Sequence, residues 1–296
     1  MKKPVFTGTS VAIVTPFKED YTVDYAKLEE LIEFQIAGGT NCITICGTTG
    51  EASALDDEEH KECIRFCVEK VAGRVPVIAG TGSNDTAYSL QLSQYAEGVG
   101  ADALLQVTPY YNKTTQAGLI RHFTYLADRV NIPMILYNVP SRTGMSITAD
   151  TYYELSKHPM INGVKEASGD FSLIAHTRHL CGDELNIWSG NDDQVIPILS
   201  LGGKGVISVV ANVAPELMAG MCRRYFEGDH KGAAETQTDY YDLMHNLFIE
   251  VNPIPVKTAM GLMDLCSPLL RLPLCEMGGA NKATLEKTLR RTGLLK

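Results

Sequence analysis

Lys165 stands inside an apolar run, "INGVKEAS" (161–168), that otherwise has the character of a buried strand. A lysine there must find a partner or give up its charge. The neutral amine is a nucleophile that condenses with a carbonyl to a Schiff base, so one reading of Lys165 is covalent catalysis. The other is a strand-end lysine that reaches solvent or pairs with the adjacent Glu166. A second run, "ILYNVPSRTG" (135–144), stops on Tyr137 and then crosses Pro140, Arg142 and Gly144. Tyr137 brings one hydroxyl that needs a partner if the ring is buried, and Arg142 has the planar fork suited to a carboxylate. A third stretch, "GTTGE" (47–51), sets Thr48 and Thr49 between glycines, where backbone N–H groups can approach an anion closely. Taken singly, each has a plainer reading: a core tyrosine, a surface arginine, an ordinary turn.

Metal chemistry fits the sequence less well. The seven histidines are His60, His122, His158, His176, His179, His230 and His245, and none falls at the end of an apolar run, where a barrel or open sheet would use it. Cys42 and Cys46 have the spacing that opens an iron–sulfur motif, but Thr49 occupies the third position.

These residues need strands to deliver them, and the chain supplies a regular series. Short β-rich apolar runs alternate with patterns of period 3.6 to about residue 229. Strands are expected at 10–17, 41–47, 75–82, 101–111, 132–140, 161–168, 184–190 and 205–212. Helices are expected between them, the second opened by Asp56 with Glu59 three residues on, a capping-box spacing. Eight near-continuously apolar strands with crossover helices specify a (β/α)8 TIM barrel. A nucleotide-binding open sheet would carry G-x-G-x-x-G, and "GTGSND" lacks the third glycine. Barrel enzymes work at the carboxyl ends of their strands, where "GTTGE", "TPYYN", "YNVPSRTG", "KEAS" and "SGNDD" all fall. Residues 1–229 therefore form the expected catalytic barrel. Residues 230–296 form a helical C-terminal extension with no catalytic-looking cluster, whose expected role is packing or subunit contact.

Composition narrows the function classes. A formal net charge of -9, with no Lys/Arg block longer than two, makes nucleic acid a poor partner. No run approaches ~18 apolar residues and no signal peptide opens the chain, so a cytoplasmic protein is expected. Several of the eight cysteines lie within apolar runs, as reduced core thiols do.

Taken together the motifs resemble the dihydrodipicolinate synthase family of pyruvate-dependent class I aldolases, whose superfamily includes N-acetylneuraminate lyase. The match runs through "GTTGE" (47–51), "VIAGTG" (77–82), "VTPYYN" (107–112), "LYNVPSRTG" (136–144), "GVKEASGD" (163–170), "GGKGVISVVANV" (202–213) and "NPIPVK" (252–257). The resemblance implies condensation of pyruvate with L-aspartate 4-semialdehyde to 4-hydroxy-tetrahydrodipicolinate, in lysine and diaminopimelate biosynthesis. It implies that Lys165 forms the Schiff base and that Tyr137 shuttles protons. Thr48 would bridge Tyr137 to Tyr111, which would reach into a neighbouring subunit. It further implies that Thr49 holds the pyruvate carboxylate, that Arg142 binds the carboxylate of the aldehyde, and that Gly190 and Ile207 line the pocket. No metal or organic cofactor is implied, and the assembly is a homotetramer built from tight dimers. The alternatives are a related aldolase acting on a sugar-acid aldehyde, which would lack Arg142 in that motif, and a non-catalytic pyruvate-binding barrel. The latter would need neither Lys165 nor the proton relay.

In lysine-inhibited members, a regulatory cleft at the dimer interface matches Ala52, Ser53, Asp57, His60, Asn84, Tyr88 and Tyr110. His60, Asn84 and Tyr110 agree with that pattern. Tyr88 stands where a Glu would hold the inhibitor's ammonium, Asp57 where a His is found and Ala52 where a Ser is found, so weak or absent lysine sensitivity is expected.

Overall fold

The computed structural model describes residues 1–296. The chain alternates β1 (Gly8–Ala12), α1 (Tyr25–Ala37), β2 (Cys42–Ile45), α2 (Asp57–Val71), β3 (Val77–Gly80), α3 (Thr86–Gly98), β4 (Ala103–Val107) and α4 (Gln116–Ala127). It continues with β5 (Met134–Asn138), a one-turn α5 (Pro140–Thr143), α6 (Ala149–Ser156), β6 (Ile161–Glu166), α7 (Phe171–Cys181), β7 (Asn186–Ser189), α8 (Val195–Ser200), β8 (Gly205–Ser208) and α9 (Pro215–Phe226). All neighbouring strands pair in parallel and β8 returns to β1, closing the sheet into the TIM barrel that the sequence specifies. At α2 the capping box forms: Asp56 accepts from the Glu59 N–H, and Glu59 accepts from the Asp56 N–H.

Side chains alternate across a strand, so the barrel has an inner and an outer set. Phe6, Ile78, Leu105, Ile135, Tyr137, Trp188 and Ile207 belong to a small cluster of their own. The larger cluster takes the helix-facing residues, among them Ile43, Leu104, Leu136 and Val164. Phe6 stacks on Trp188 with ring centroids 5.2 Å apart, and Trp188 Nε1 donates to the Phe6 carbonyl at 3.2 Å, so the N-terminal segment fills the barrel beside β7.

The first strand is shorter than the apolar run 10–17 suggested. Beyond Ala12, paired with Thr44, the chain leaves the sheet: the Val14 N–H donates to Asn212 Oδ1 at 3.1 Å, and Phe17 forms an isolated antiparallel bridge with Val23. Phe17 is apolar because Lys257 and Arg271 of the C-terminal segment lie over its ring, at 4.0 and 4.5 Å from the centroid. That segment carries α10 (His230–Asp239), α11 (Tyr241–Asn246), α12 (Ile254–Leu262) and α13 (Gly279–Arg291).

Candidate active site

Register sets the centre of the site. Tyr137 on β5 is level with Lys165 on β6, which is level with Trp188 on β7. Lys165 is 5% exposed and its Nζ lies over the Tyr137 ring, 4.4 Å from the centroid. A cation on the face of a phenol gains about 0.5–2 kcal/mol depending on desolvation. Gly190, just past β7, closes the other side: a Cβ there would meet Lys165 Cε at 3.2 Å and Ala167 Cβ at 2.7 Å. Only a residue without a side chain fits beside the lysine stem.

Glu166 is not the partner of Lys165. One residue further along β6, it points to the opposite face, in register with Asn138. Its carboxylate accepts from Asn138 Nδ2 (3.1 and 3.2 Å), the Tyr152 hydroxyl (2.9 Å) and the Ser168 N–H (2.8 Å). Burial pushes this carboxyl up against those hydrogen bonds. The cluster ties the ends of β5 and β6 to α6, and so holds Tyr137 and Lys165 at one level.

Thr48, Tyr137 and Arg142 line one cavity of about 410 Å³ with Gly47, Gly82, Val107, Val139 and Thr143. The loop "GTTGE" enters it between two residues with left-handed backbone, Cys46 (φ 55°) and Glu51 (φ 52°). Neither the Thr48 nor the Thr49 N–H donates to any protein acceptor, and of the two residues Thr48 lines the cavity. Thr49 is 2% exposed and its hydroxyl accepts from Asn252 Nδ2 at 2.9 Å. Arg142 is exposed on α5 and donates through Nη2 to the Asn252 carbonyl at 3.0 Å. Ile207 on β8 is fully buried in the same cluster as Tyr137. Tyr111 is the residue the single chain does not bring in: it is 94% exposed, with φ 68°.

The same cavity extends past Ala52, Ser53, His60, Tyr88 and Tyr110. His60 Nε2 is 2.8 Å from the Gly80 carbonyl, and burial lowers the imidazole's proton affinity. Burial, and then the neighbouring Asp57, push the Tyr88 phenol up to about 12. Asp57 is itself salt-bridged to Lys61 at 2.6 Å. Asn84 does not line the cavity; its carbonyl accepts from Asn112 Nδ2 at 3.0 Å. No three His, Cys, Asp or Glu side chains converge in a group able to hold a metal ion.

Three contributors carried no expected role. Asp192, in "SGNDD", is 2% exposed and accepts from the Val209 and Val210 N–H groups at 3.0 and 3.1 Å, fixing the turn after β8; burial pushes its carboxyl up. The other two come from the C-terminal extension, which packs on the barrel and also hydrogen-bonds to residues expected in the site. Asn252 touches both Thr49 and Arg142. Lys257 forms a fully buried ion pair with Glu51 at 2.6 Å, and the Arg271 N–H donates to the same carboxylate at 3.0 Å. "NPIPVK" is visible as a motif, but nothing local shows that it folds back onto "GTTGE".

A closed (β/α)8 barrel with a buried lysine and a tyrosine level with it near the carboxyl ends of neighbouring strands defines a barrel enzyme of the lysine-bearing kind. The chain belongs to the dihydrodipicolinate synthetase family, whose model matches residues 5–292. It is 56% identical over 294 residues to the 4-hydroxy-tetrahydrodipicolinate synthase of Thermoanaerobacter sp. (strain X514), with 99% of each chain covered. The Clostridium perfringens (strain SM101 / Type A) enzyme of the same name is 54% identical over 293 residues, covering 99% of this chain and 100% of that one. Among solved structures, the chloride-inhibited dihydrodipicolinate synthase from Acinetobacter baumannii complexed with pyruvate superimposes with a TM-score of 0.96 at 41% identity, covering 98% of this chain and 100% of that one.

Proposed function

We propose that the protein condenses pyruvate with L-aspartate 4-semialdehyde through an imine on Lys165 to give 4-hydroxy-tetrahydrodipicolinate, the committed step of lysine and diaminopimelate biosynthesis. Family membership and relatives at 54–56% identity that bear this activity's name support the reaction. The observation that carries the mechanism is Lys165 Nζ 4.4 Å from the centre of the Tyr137 ring, with Gly190 against its stem.

The steps follow from that arrangement. Lys165 Nζ adds to the keto carbon of pyruvate and water leaves, giving an iminium. The nitrogen cation takes up the electron pair released when a methyl proton departs, so an enamine forms. The enamine carbon attacks the aldehyde and its oxygen gains a proton. The amino group of the second substrate then displaces the lysine nitrogen, closing the ring and freeing Lys165. Tyr137 moves the protons. A phenol in water is a poor base at neutral pH, which is why the reading includes a relay through Thr48 to Tyr111 of a neighbouring subunit. The exposure of Tyr111 in the single chain supports that placement. Thr49 and the free amides of Thr48 and Thr49 would take the pyruvate carboxylate, and Arg142 the carboxylate of the aldehyde. Gly190 and Ile207 shape the wall.

The reading needs no metal or organic cofactor, because the iminium is the electron sink. It includes a homotetramer of tight dimers and a cytoplasmic location; no helix is long and apolar enough to cross a membrane. A sugar-acid aldehyde is the less favoured second substrate, since Arg142 at the rim matches a small anionic aldehyde. Incubation with pyruvate, reduction with borohydride and peptide mapping by mass is expected to place the adduct on Lys165. An unmodified Lys165 peptide would reject the mechanism.

A further inference from the structure

We infer that Asn252 is a positioning residue that aims the Thr49 hydroxyl proton into the pyruvate carboxylate subsite. The inference rests on the reading above in which Thr49 binds that carboxylate.

A threonine hydroxyl has one proton to donate and lone pairs to accept with. The Asn252 amide donates to Thr49 Oγ1 at 2.9 Å, and this is the only hydrogen bond of that hydroxyl within the chain. With the amide as donor, the hydroxyl has no reason to turn its own proton toward Asn252. The proton is left for another acceptor, on a residue that does not itself line the cavity but directly follows Thr48, which does and whose N–H is free. Both residues are buried, Thr49 at 2% and Asn252 at 5% exposure, so water competes little for either group. Asn252 Oδ1 is buried without a donor, so the amide's side-chain hydrogen bonding within the chain is spent on Thr49 alone. The Asn252 backbone is held separately: its carbonyl accepts from Arg142 Nη2 at 3.0 Å. The side chain therefore serves the pyruvate subsite, while the main chain serves the arginine assigned to the aldehyde.

This division makes an isosteric exchange informative. In Asn252→Asp the ionised carboxylate is acceptor-only, so the Thr49 hydroxyl must turn its proton to it and present lone pairs to the substrate carboxylate. Protonating the introduced carboxyl restores a donor. The test measures the pyruvate concentration that half-saturates borohydride trapping at pH 8 and at stepwise lower pH, with the aldehyde KM measured separately at saturating pyruvate. Asn252→Asp is expected to raise half-saturation about tenfold at pH 8, equivalent to roughly 1.4 kcal/mol. The rise should fade relative to wild type as pH drops through the titration of the introduced group, with the aldehyde KM changed less than about twofold. Asn252→Ala is expected to raise half-saturation about threefold, with the pH profile of wild type. Unchanged pyruvate binding in Asn252→Asp, or a loss independent of pH, overturns the inference. Thr49→Val separates the two layers: if it leaves pyruvate binding unchanged, the assignment of Thr49 fails; if it weakens binding while Asn252→Asp does not, only the role of Asn252 fails. Should Asn252→Asp not fold, Asn252→Ala decides, since unchanged half-saturation in a variant with the wild-type melting temperature overturns the role.

Discussion

Arg142 uses one guanidinium nitrogen on the Asn252 carbonyl and leaves the rest of its exposed fork free at the rim of the cavity. A charge-assisted contact to a carboxylate contributes about 1.5–3 kcal/mol. Arg142→Ala is therefore expected to raise the KM for the aldehyde roughly 10- to 100-fold while moving the pyruvate KM far less. Equal losses for both substrates in steady-state kinetics would show that the arginine does not select the aldehyde. A second prediction concerns the cleft side of the same cavity. Tyr88 presents a phenol kept protonated by burial and by Asp57, and Asp57 is engaged with Lys61. An added ammonium finds no free carboxylate at position 88, so L-lysine at sub-millimolar concentration is expected to leave the initial rate unchanged. Inhibition in that range would reject this account of the cleft. At this scale the sequence was informative where a residue type is out of place: Lys165 in a strand and Tyr137 at the end of one. It was silent on Asn252, whose bond to Thr49 spans 203 positions.

The C-terminal segment acts on the barrel through the Lys257–Glu51 pair. Both side chains have no exposure, burial lowers the proton affinity of the Lys257 amine, and Glu51 holds the left-handed turn that ends "GTTGE". Removing one member of a buried pair leaves an uncompensated charge and costs about 3–5 kcal/mol. Lys257→Met is expected to lower the thermal midpoint and to weaken pyruvate binding, because the loop that carries Thr48 and Thr49 loses its anchor. Adding Glu51→Gln should recover part of the stability. If Lys257→Met melts like the wild type, the pair is not the anchor. Element order was legible because strand and helix leave different periodicities, and the Asp56–Glu59 box marked a helix start. Element ends were less so: Val14 and Phe17 are buried outside the sheet, Phe17 beneath Lys257 and Arg271 of the C-terminal segment, which mimics a longer β1. The extension's part in the site was hidden for the same reason, since an ion pair made by folding back leaves no local pattern.

Across the whole molecule, the single chain holds Lys165, Tyr137 and Thr48 together but turns Tyr111 outward on a strained backbone. Under the proposed relay, each active centre would then draw on two chains. Mixing a Lys165→Ala chain, which keeps Tyr111, with a Tyr111→Phe chain, which keeps Lys165, is expected to regain activity after unfolding and reassembly together. Separate preparations should stay impaired. No gain on mixing would mean that Tyr111 serves its own chain or none. The composition adds a practical consequence of the barrel's interior. Trp188 is the chain's one tryptophan, has no exposure, and lies in register with Lys165. The protein thus contains a single indole, buried one strand away from the Lys165 amine, an optical reporter that needs no label and whose emission carries no background from any other indole.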